Sequence, residues 1–224
     1  MKNINFYTVI ALLLLLTSCQ VQVPMNAEYL KKPSRVGLYV NVSEPQKYRE
    51  GSQGLLDLAL TSGDKYQPVL DLAKKQLDPK QKLIDMYSEI LRSKGKEVVI
   101  IDEKFDPKNV QKFKDEKAEG KKYSNIDFRP LKDKYQIDEV AFINLNWGLM
   151  ISYYSMIETG RAGYVNFDNR LVNLADNSLY FANDNMKNIP INGKWNVGPN
   201  YENAINKISE TLNQAIEVEK NLYK

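Results

Sequence analysis

Glu139-Val140-Ala141-Phe142-Ile143-Asn144-Leu145-Asn146-Trp147-Gly148-Leu149-Met150-Ile151-Ser152-Tyr153-Tyr154-Ser155-Met156-Ile157-Glu158 is the stretch that decides the fold. Ala141, Ile143, Leu145, Trp147, Leu149, Ile151 and Tyr153 recur at every second position, so an extended chain carries them all on one face. The other face mixes Asn144, Asn146, Ser152 and Tyr154 with Val140, Phe142 and Met150. That pattern is a strand with one face against a core. It is far longer than the usual strand of about 5–6 residues, so a bend or bulge is expected near Gly148. Trp147 and Tyr153 belong to the core face, whereas Tyr154 points the other way and is the one aromatic to test as a contact.

Downstream, Thr159-Gly160-Arg161 reads as a turn and Ala162 to Leu174 as a returning strand. Ala175-Asp176-Asn177-Ser178 turns again into Leu179 to Ala182, which makes an antiparallel meander. Asn183 to Asn200 has the composition of a loop. Tyr201 to Tyr223 is a final amphipathic helix capped by Asn200, with Ile205, Ile208, Leu212, Ile216 and Leu222 on one side.

Upstream, Val36, Leu38, Val40 and Val42 mark a first strand over Arg35 to Val42, followed by a loop from Ser43 to Ser52. Leu55 to Leu60 is a short apolar helix, and a second helical piece occupies Lys65 to Gln76. Asp78-Pro79-Lys80-Gln81 is a strong helix start, with a capping side chain, proline in the first turn and a capping-box partner at Gln81. Gly95 ends that helix, and Glu97 to Asp102 is an apolar strand expected to be buried on both faces. Strand, helix and strand form a βαβ unit. Lys104 to Lys122, dense in charge, reads as a solvated helix face, and Phe128 to Tyr135 as another short helix. The fold class is therefore α/β (α+β): one mixed sheet with a βαβ unit followed by an antiparallel meander, helices packed on it, and a C-terminal amphipathic helix.

At the other end of the chain, Phe6 to Leu16 is almost wholly apolar. As a helix of about 1.5 Å per residue it would reach only half of a bilayer core of about 30 Å, which suits the apolar part of a secretory signal. It runs into Leu16-Thr17-Ser18-Cys19, which resembles the lipobox of bacterial lipoproteins: an aliphatic residue, two small ones, and a cysteine. The resemblance implies cleavage between Ser18 and Cys19, a diacylglyceryl thioether on Cys19 and acylation of its new amino group. Gln20 follows where an Asp would, in enteric bacteria, hold a lipoprotein at the inner membrane. That favours the outer membrane of a Gram-negative cell, periplasmic face. The expected organisation is a signal peptide over 1–18, a lipidated cysteine and flexible tether over 19–34, and a single periplasmic α/β domain over 35–224.

Composition removes many chemistries. The 224 residues contain no histidine and one cysteine. Lipidation would consume that thiol, so no disulfide, no His-based triad and none of the usual zinc ligand sets is expected. No cofactor, no metal and no catalytic residue is assigned. With 31 Lys and Arg against 28 Asp and Glu, the charge is too balanced to suggest nucleic acid. Ser62-Gly63-Asp64-Lys65 and Ser93-Lys94-Gly95-Lys96 match a loose Ser-x-x-Lys pattern, but no Lys-Thr-Gly accompanies them. The carboxylate pairs Asp85/Glu89 and Asp102/Glu103 read as solvated surface acids. Asn183-Asp184-Asn185 lacks the glycine and distal glutamate of a calcium loop.

The order of elements is similar to a periplasmic module found in the TolB amino-terminal domain, the curli-secretion lipoprotein and the lipoprotein activator of a penicillin-binding protein. Lys96 to Ile101, Tyr135 to Val140, and Arg170 to Leu174 before the Asp176-Asn177-Ser178 turn carry that likeness, which is one of layout and transfers no site residue. Together these features lead to a membrane-anchored, non-enzymatic binding or assembly component of the cell envelope, partnered by another envelope protein or by itself. A carboxylate-dependent cell-wall hydrolase and a carrier of small ligands or lipid stand as alternatives.

Overall fold

The computed structural model describes residues 22–223. Ser18, Cys19 and the signal stretch lie outside them. In chain order the elements are α1 (Ala27–Lys31), β1 (Arg35–Val42), β2 (Gln46–Ser52), α2 (Leu55–Leu60), α3 (Gln67–Gln76), α4 (Pro79–Ser93), β3 (Glu97–Ile100), α5 (Pro130–Tyr135), β4 (Glu139–Tyr154), β5 (Ile157–Asn173), β6 (Leu179–Pro190) and α6 (Glu202–Asn221). The sheet runs β3-β1-β4-β5-β6, with β2 also paired to β4. Contacts of β1 with β3 and β4 are parallel, and those of β5 with β4 and β6 are antiparallel. This is the mixed α/β architecture expected from the sequence.

β4 is the spine. The alternating set from Ala141 to Tyr153 lies in the main core, together with Val36, Leu38 and Val40 of β1 and Val165, Phe167 and Leu171 of β5. Helices α3, α4 and α6 cover this face through Val69 and Leu70, Leu83 and Leu91, and Ile208 and Leu212. A smaller core on the opposite face gathers Val140 and Phe142 with Phe128, Ile137 and Val172. It covers only the end of the sheet where β4 begins.

β1 pairs with β4 from Glu139 to Leu145, and β2 then takes over from Gly148 to Tyr154, so the two share one edge of the long strand. The loop expected over 43–52 is thus mostly a strand, whose polar side chains conceal it because it lies on an edge. Glycine sits where the takeover needs it. Gly148 has φ +140, and a Cβ there would meet the Gln46 carbonyl oxygen at 2.2 Å; Gly51 has φ +102 and would meet the Tyr153 carbonyl oxygen at 2.0 Å. The irregularity expected near Gly148 is therefore real as a backbone conformation, while the register shift against β5 falls between Ser152 and Tyr153.

Other differences have equally local causes. β4 turns at Ser155-Met156, Ser155 having φ 53, so Thr159-Gly160-Arg161 lies within β5 and is not a turn. β6 continues through the supposed loop to Pro190, its polar side chains facing partners: Asn185 donates to Glu219, and Asp184 accepts from Asn166 of β5. β3 is an edge strand, not one buried on both faces. The charged stretch 104–122 forms no helix; Asp106 caps a turn at Lys108 and Asn109, and Lys112 bridges to Ile126. In α4, Asp78 accepts from the Gln81 amide, but the Gln81 side chain bonds Asp85 and no capping box closes. α6 starts after Tyr201, which is left-handed at φ 48, with no side-chain cap from Asn200.

Part of the expected tether is folded chain. Val23 and Ala182 exchange backbone hydrogen bonds of 2.9 and 3.0 Å, and Tyr29 and Leu30 are buried. Tyr29 stacks on Tyr180 at 4.5 Å between ring centres, which gives this short segment an aromatic anchor that its composition did not advertise.

Candidate functional site

The two ends of β4 differ in character. At its start, burial is polar. Lys96 at the foot of β3 has no exposed side-chain surface, and its ammonium donates to the Tyr29 carbonyl (3.1 Å), the Lys32 carbonyl (2.8 Å) and Ser34 Oγ (2.9 Å). All three of its hydrogens are thus matched. Glu139 stands 3.6 Å away and itself accepts from Tyr29 Oη (2.5 Å) and Ser34 Oγ (3.1 Å). The ammonium also lies 3.9 Å from the Tyr29 ring centre. Burial pushes the Lys96 ammonium below its ordinary pKa, against the pull of Glu139. These bonds hold α1 on the sheet, and Ser34 and Glu139 also line an open cleft beside Lys32 and Tyr180.

A second buried acid, Glu219 of α6, accepts from Tyr87 Oη (3.0 Å), Asn185 Nδ2 (3.2 Å) and Asn169 Nδ2. Burial raises its pKa, while those donors pull it down. It ties α6 to α4, β5 and β6. Sequence periodicity could not have found it, because Glu219 is an ordinary-looking charge in a charged helix end.

The far end, where β2 stops and β4 turns into β5, is different. Ser155 donates its amide to the Ser52 carbonyl (3.0 Å), and Gln53 donates its side-chain amide to the Ser155 carbonyl (2.8 Å). α2 begins two residues later. Its first turn is closed by Asp57, which accepts from the Gly54 amide (2.9 Å), and its end is held by Arg49, which donates to Thr61 Oγ1 (2.6 Å) and Thr61 O (2.8 Å). These bonds fix the helix beside the hairpin tip with none of its residues buried. Leu55 is 88% exposed, Leu56 70%, Leu60 63%, Tyr154 72%, Ile157 66% and Met156 53%. Ordinary surfaces scatter single apolar residues; six large ones at one end of a sheet are unusual.

Beneath them lies a rigid collar. Glu158 pairs with Lys65 (3.0 Å) and with Arg161, and accepts from Tyr66 Oη, while Arg161 Nε donates to Tyr66 Oη (2.8 Å). Burial alone would raise the Glu158 carboxyl; Tyr66, Lys65 and Arg161 outweigh it and hold it below the ordinary range. Trp195 packs on Tyr66 at 4.8 Å and stacks on Tyr201 at 5.8 Å. Lys47 donates to the Thr61 and Gly63 carbonyls, both at 3.1 Å. The cations around the apolar end are thus engaged within the chain.

Tyr154, singled out by alternation, falls in this apolar end, while Trp147 and Tyr153 are core. The leucines of α2 were legible as an apolar helix but not as an exposed one. Neither Ser-x-x-Lys match brings its pair together: Ser62 and Ser93 bond carbonyls of their own helices, Lys65 pairs with Glu158, and Lys96 is buried beside Glu139. Asp85 is bonded by Gln81 and Asp102 by Lys80. Among the described residues no three Asp, Glu, His or Cys gather as a metal site requires, and no helix is long and apolar enough to cross a membrane. A groove of about 410 Å³ between Lys112, Asp115, Asp127 and Arg129 and a cleft of about 360 Å³ by Lys32, Asp138 and Tyr180 are both open to solvent.

No protein-family model and no curated protein matches the chain. Among solved structures it is similar to a lipoprotein of Neisseria meningitidis, at 13% identity over 82% of this chain and 99% of that one, with a TM-score of 0.34. It is similar to the PelC dodecamer of Paraburkholderia phytofirmans at 11% identity over 86% and 92%, TM-score 0.31. A neuraminyllactose-binding hemagglutinin homolog of Helicobacter pylori shares 13% identity over 88% and 86%, TM-score 0.37. None of the three is named as an enzyme. Likeness of this degree carries no function to this chain.

Proposed function

We propose that this chain is a lipid-anchored, non-enzymatic binding component of the bacterial envelope, held through Cys19 at the periplasmic face of the outer membrane. The observation that carries the binding part is the apolar end formed by α2 and the β4–β5 tip. Six large side chains are presented to water there, and the nearby cations Lys47, Arg49, Lys65 and Arg161 are bonded within the chain. Such a surface is suited to a partner. The anchor rests on Leu16-Thr17-Ser18-Cys19, and the TolB-like layout belongs to the same reading.

Wild-type chain and Cys19→Ala are expressed with a labelled palmitate analogue and fractionated, and the envelope-bound protein is recovered with whatever it holds. The expected result is acyl label and envelope retention that Cys19→Ala abolishes, with partner recovery that Leu56→Asp/Ile157→Asp abolishes. Peptidoglycan turnover by the purified protein, lost on changing one Asp or Glu, would replace this reading with a hydrolase.

A further inference from the structure

We propose that the cleft at the start of β4 binds a zwitterion of the phosphoethanolamine class, a primary ammonium joined by a short link to a phosphate. Its lining carries both signs of charge at different depths. Glu139 is 3% exposed, while Lys32, Lys132 and Asp138 are exposed around it. Tyr29, Ser34 and Lys96 all meet one Glu139 oxygen, Oε2. Among the described residues none bonds the other, Oε1, although an ionised carboxylate has about four acceptor sites. Asp138 accepts from the Arg35 amide (3.0 Å) through Oδ2, which leaves Oδ1. The ammonium groups of Lys32 and Lys132 have no partner among the described residues, in contrast to Lys96, whose three hydrogens are matched.

The mixture of signs selects the occupant. A simple anion drawn to Lys32 and Lys132 would also meet two carboxylates, and a simple cation would meet two unpaired ammonium groups at the entrance. A ligand carrying both signs meets each with its opposite. Its ammonium donates inward to Glu139 Oε1 and Asp138, and its anionic end stays outward toward the lysines, as charge-assisted bonds in both places. The ammonium is primary. A quaternary one has no N–H to give and is held by aromatic faces, whereas the Tyr180 ring of this lining already stacks on Tyr29 at 4.5 Å. A cleft of about 360 Å³ is within the range of small-ligand sites.

Position makes the anion a phosphate, a step that rests on the anchor of the proposed function. Tyr180 is two residues from Ala182, which bridges Val23. Cys19 is four residues before Val23, a reach of about 14 Å at most. Anchored there, the cleft is on a short leash from the bilayer, where this chemistry is that of a lipid headgroup; a free solute can carry the same groups.

The full chain, purified in a maltoside detergent, is titrated with glycerophosphoethanolamine by saturation-transfer NMR. Glycerophosphocholine, glycerol 3-phosphate, ethanolamine and β-alanine are the comparators. The expected result is saturable binding of glycerophosphoethanolamine, at least about tenfold tighter than of any comparator. Lys32→Gln/Lys132→Gln should weaken it by a similar factor. Asp138→Asn, which keeps an acceptor for the Arg35 amide, should erode the preference over glycerol 3-phosphate. These changes fall on exposed side chains and should leave the unfolding midpoint nearly unchanged; Glu139 is left unaltered because it also holds α1. Phosphatidylcholine vesicles with and without phosphatidylethanolamine then separate the sources. Loss of glycerophosphoethanolamine binding in the mixed vesicles assigns the cleft to the lipid headgroup, undiminished binding assigns it to a solute, and either upholds the zwitterion. No saturable binding, equal binding of any comparator, or binding indifferent to the two lysines overturns the inference. Acylation of Cys19 is read separately as palmitate label, so a missing anchor and an empty cleft give different results.

Discussion

Lys96→Met is the perturbation that tests most of the polar burial at the start of β4. The substitution keeps most of the length of the side chain but removes a charge with no exposed surface, leaving the Glu139 carboxyl group in the interior with only hydroxyl donors. Breaking one half of a buried, hydrogen-bonded ion pair typically costs about 3–5 kcal/mol. For a chain of this size each kcal/mol moves the thermal midpoint by roughly 2–4 °C, so the midpoint should fall by about 6–20 °C. Because the Tyr29 carbonyl, the Lys32 carbonyl and Ser34 lose their common donor, amides of residues 29–34 should exchange faster than the global stability requires. The double variant Lys96→Met/Glu139→Gln removes both charges, and its loss should be smaller than the sum of the singles by at least about 1 kcal/mol. The assay is urea unfolding followed by tryptophan fluorescence, with amide exchange read by mass spectrometry. A single-variant loss below about 1 kcal/mol, with amides 29–34 unchanged, would refute the claim that this pair holds α1 in place.

Three further outcomes follow from the same geometry. Glu219 has a folded pKa above its unfolded one, so the folded chain binds the extra proton between the two; stability should fall as pH rises through that window, and Glu219→Gln should flatten the dependence above about pH 4.5 in unfolding midpoints. Gly148→Ala should cost more than about 1 kcal/mol, because it imposes a Cβ on the Gln46 carbonyl at positive φ, whereas Gly63→Ala meets open space and should be nearly silent in the same denaturation assay. Asn177, left-handed at φ 64, accepts from the Phe128 amide and donates to the Ser124 and Ile126 carbonyls; Asn177→Gly keeps the backbone angle and should still lose about 1–3 kcal/mol, with faster proteolysis around 105–127.

The architecture was legible where side chains repeat. The alternation from Ala141 to Tyr153 located both the spine and its buried face, and Asp78-Pro79 located the start of α4. β2 escaped because an edge strand with Gln46, Lys47, Arg49 and Glu50 shows no apolar period; its partner is chosen by the length of β4, a property of another segment. The end of β6 escaped because asparagines that signal a loop are equally able to bond Glu219 across a sheet. The candidate site was half legible. Tyr154 followed from parity, but the exposure of Leu55, Leu56 and Leu60 is a tertiary fact: helices α3, α4 and α6 already fill the core face of the sheet, and nothing in the local sequence says that a fourth apolar helix is left without cover.

The bridge between Val23 and Ala182 also has a mechanical meaning. If Cys19 is fixed in a bilayer, any pull on the domain is first borne by two backbone hydrogen bonds of 2.9 and 3.0 Å, and next by the Tyr29–Tyr180 stack and the Lys96 cluster. While these hold, the leash is four residues long, about 14 Å when taut. Once they part, it runs from Cys19 to Arg35, roughly 55 Å. The domain is then moored at two lengths, and the load at which it changes from one to the other is set by the side chains that fold residues 23–34 onto the sheet.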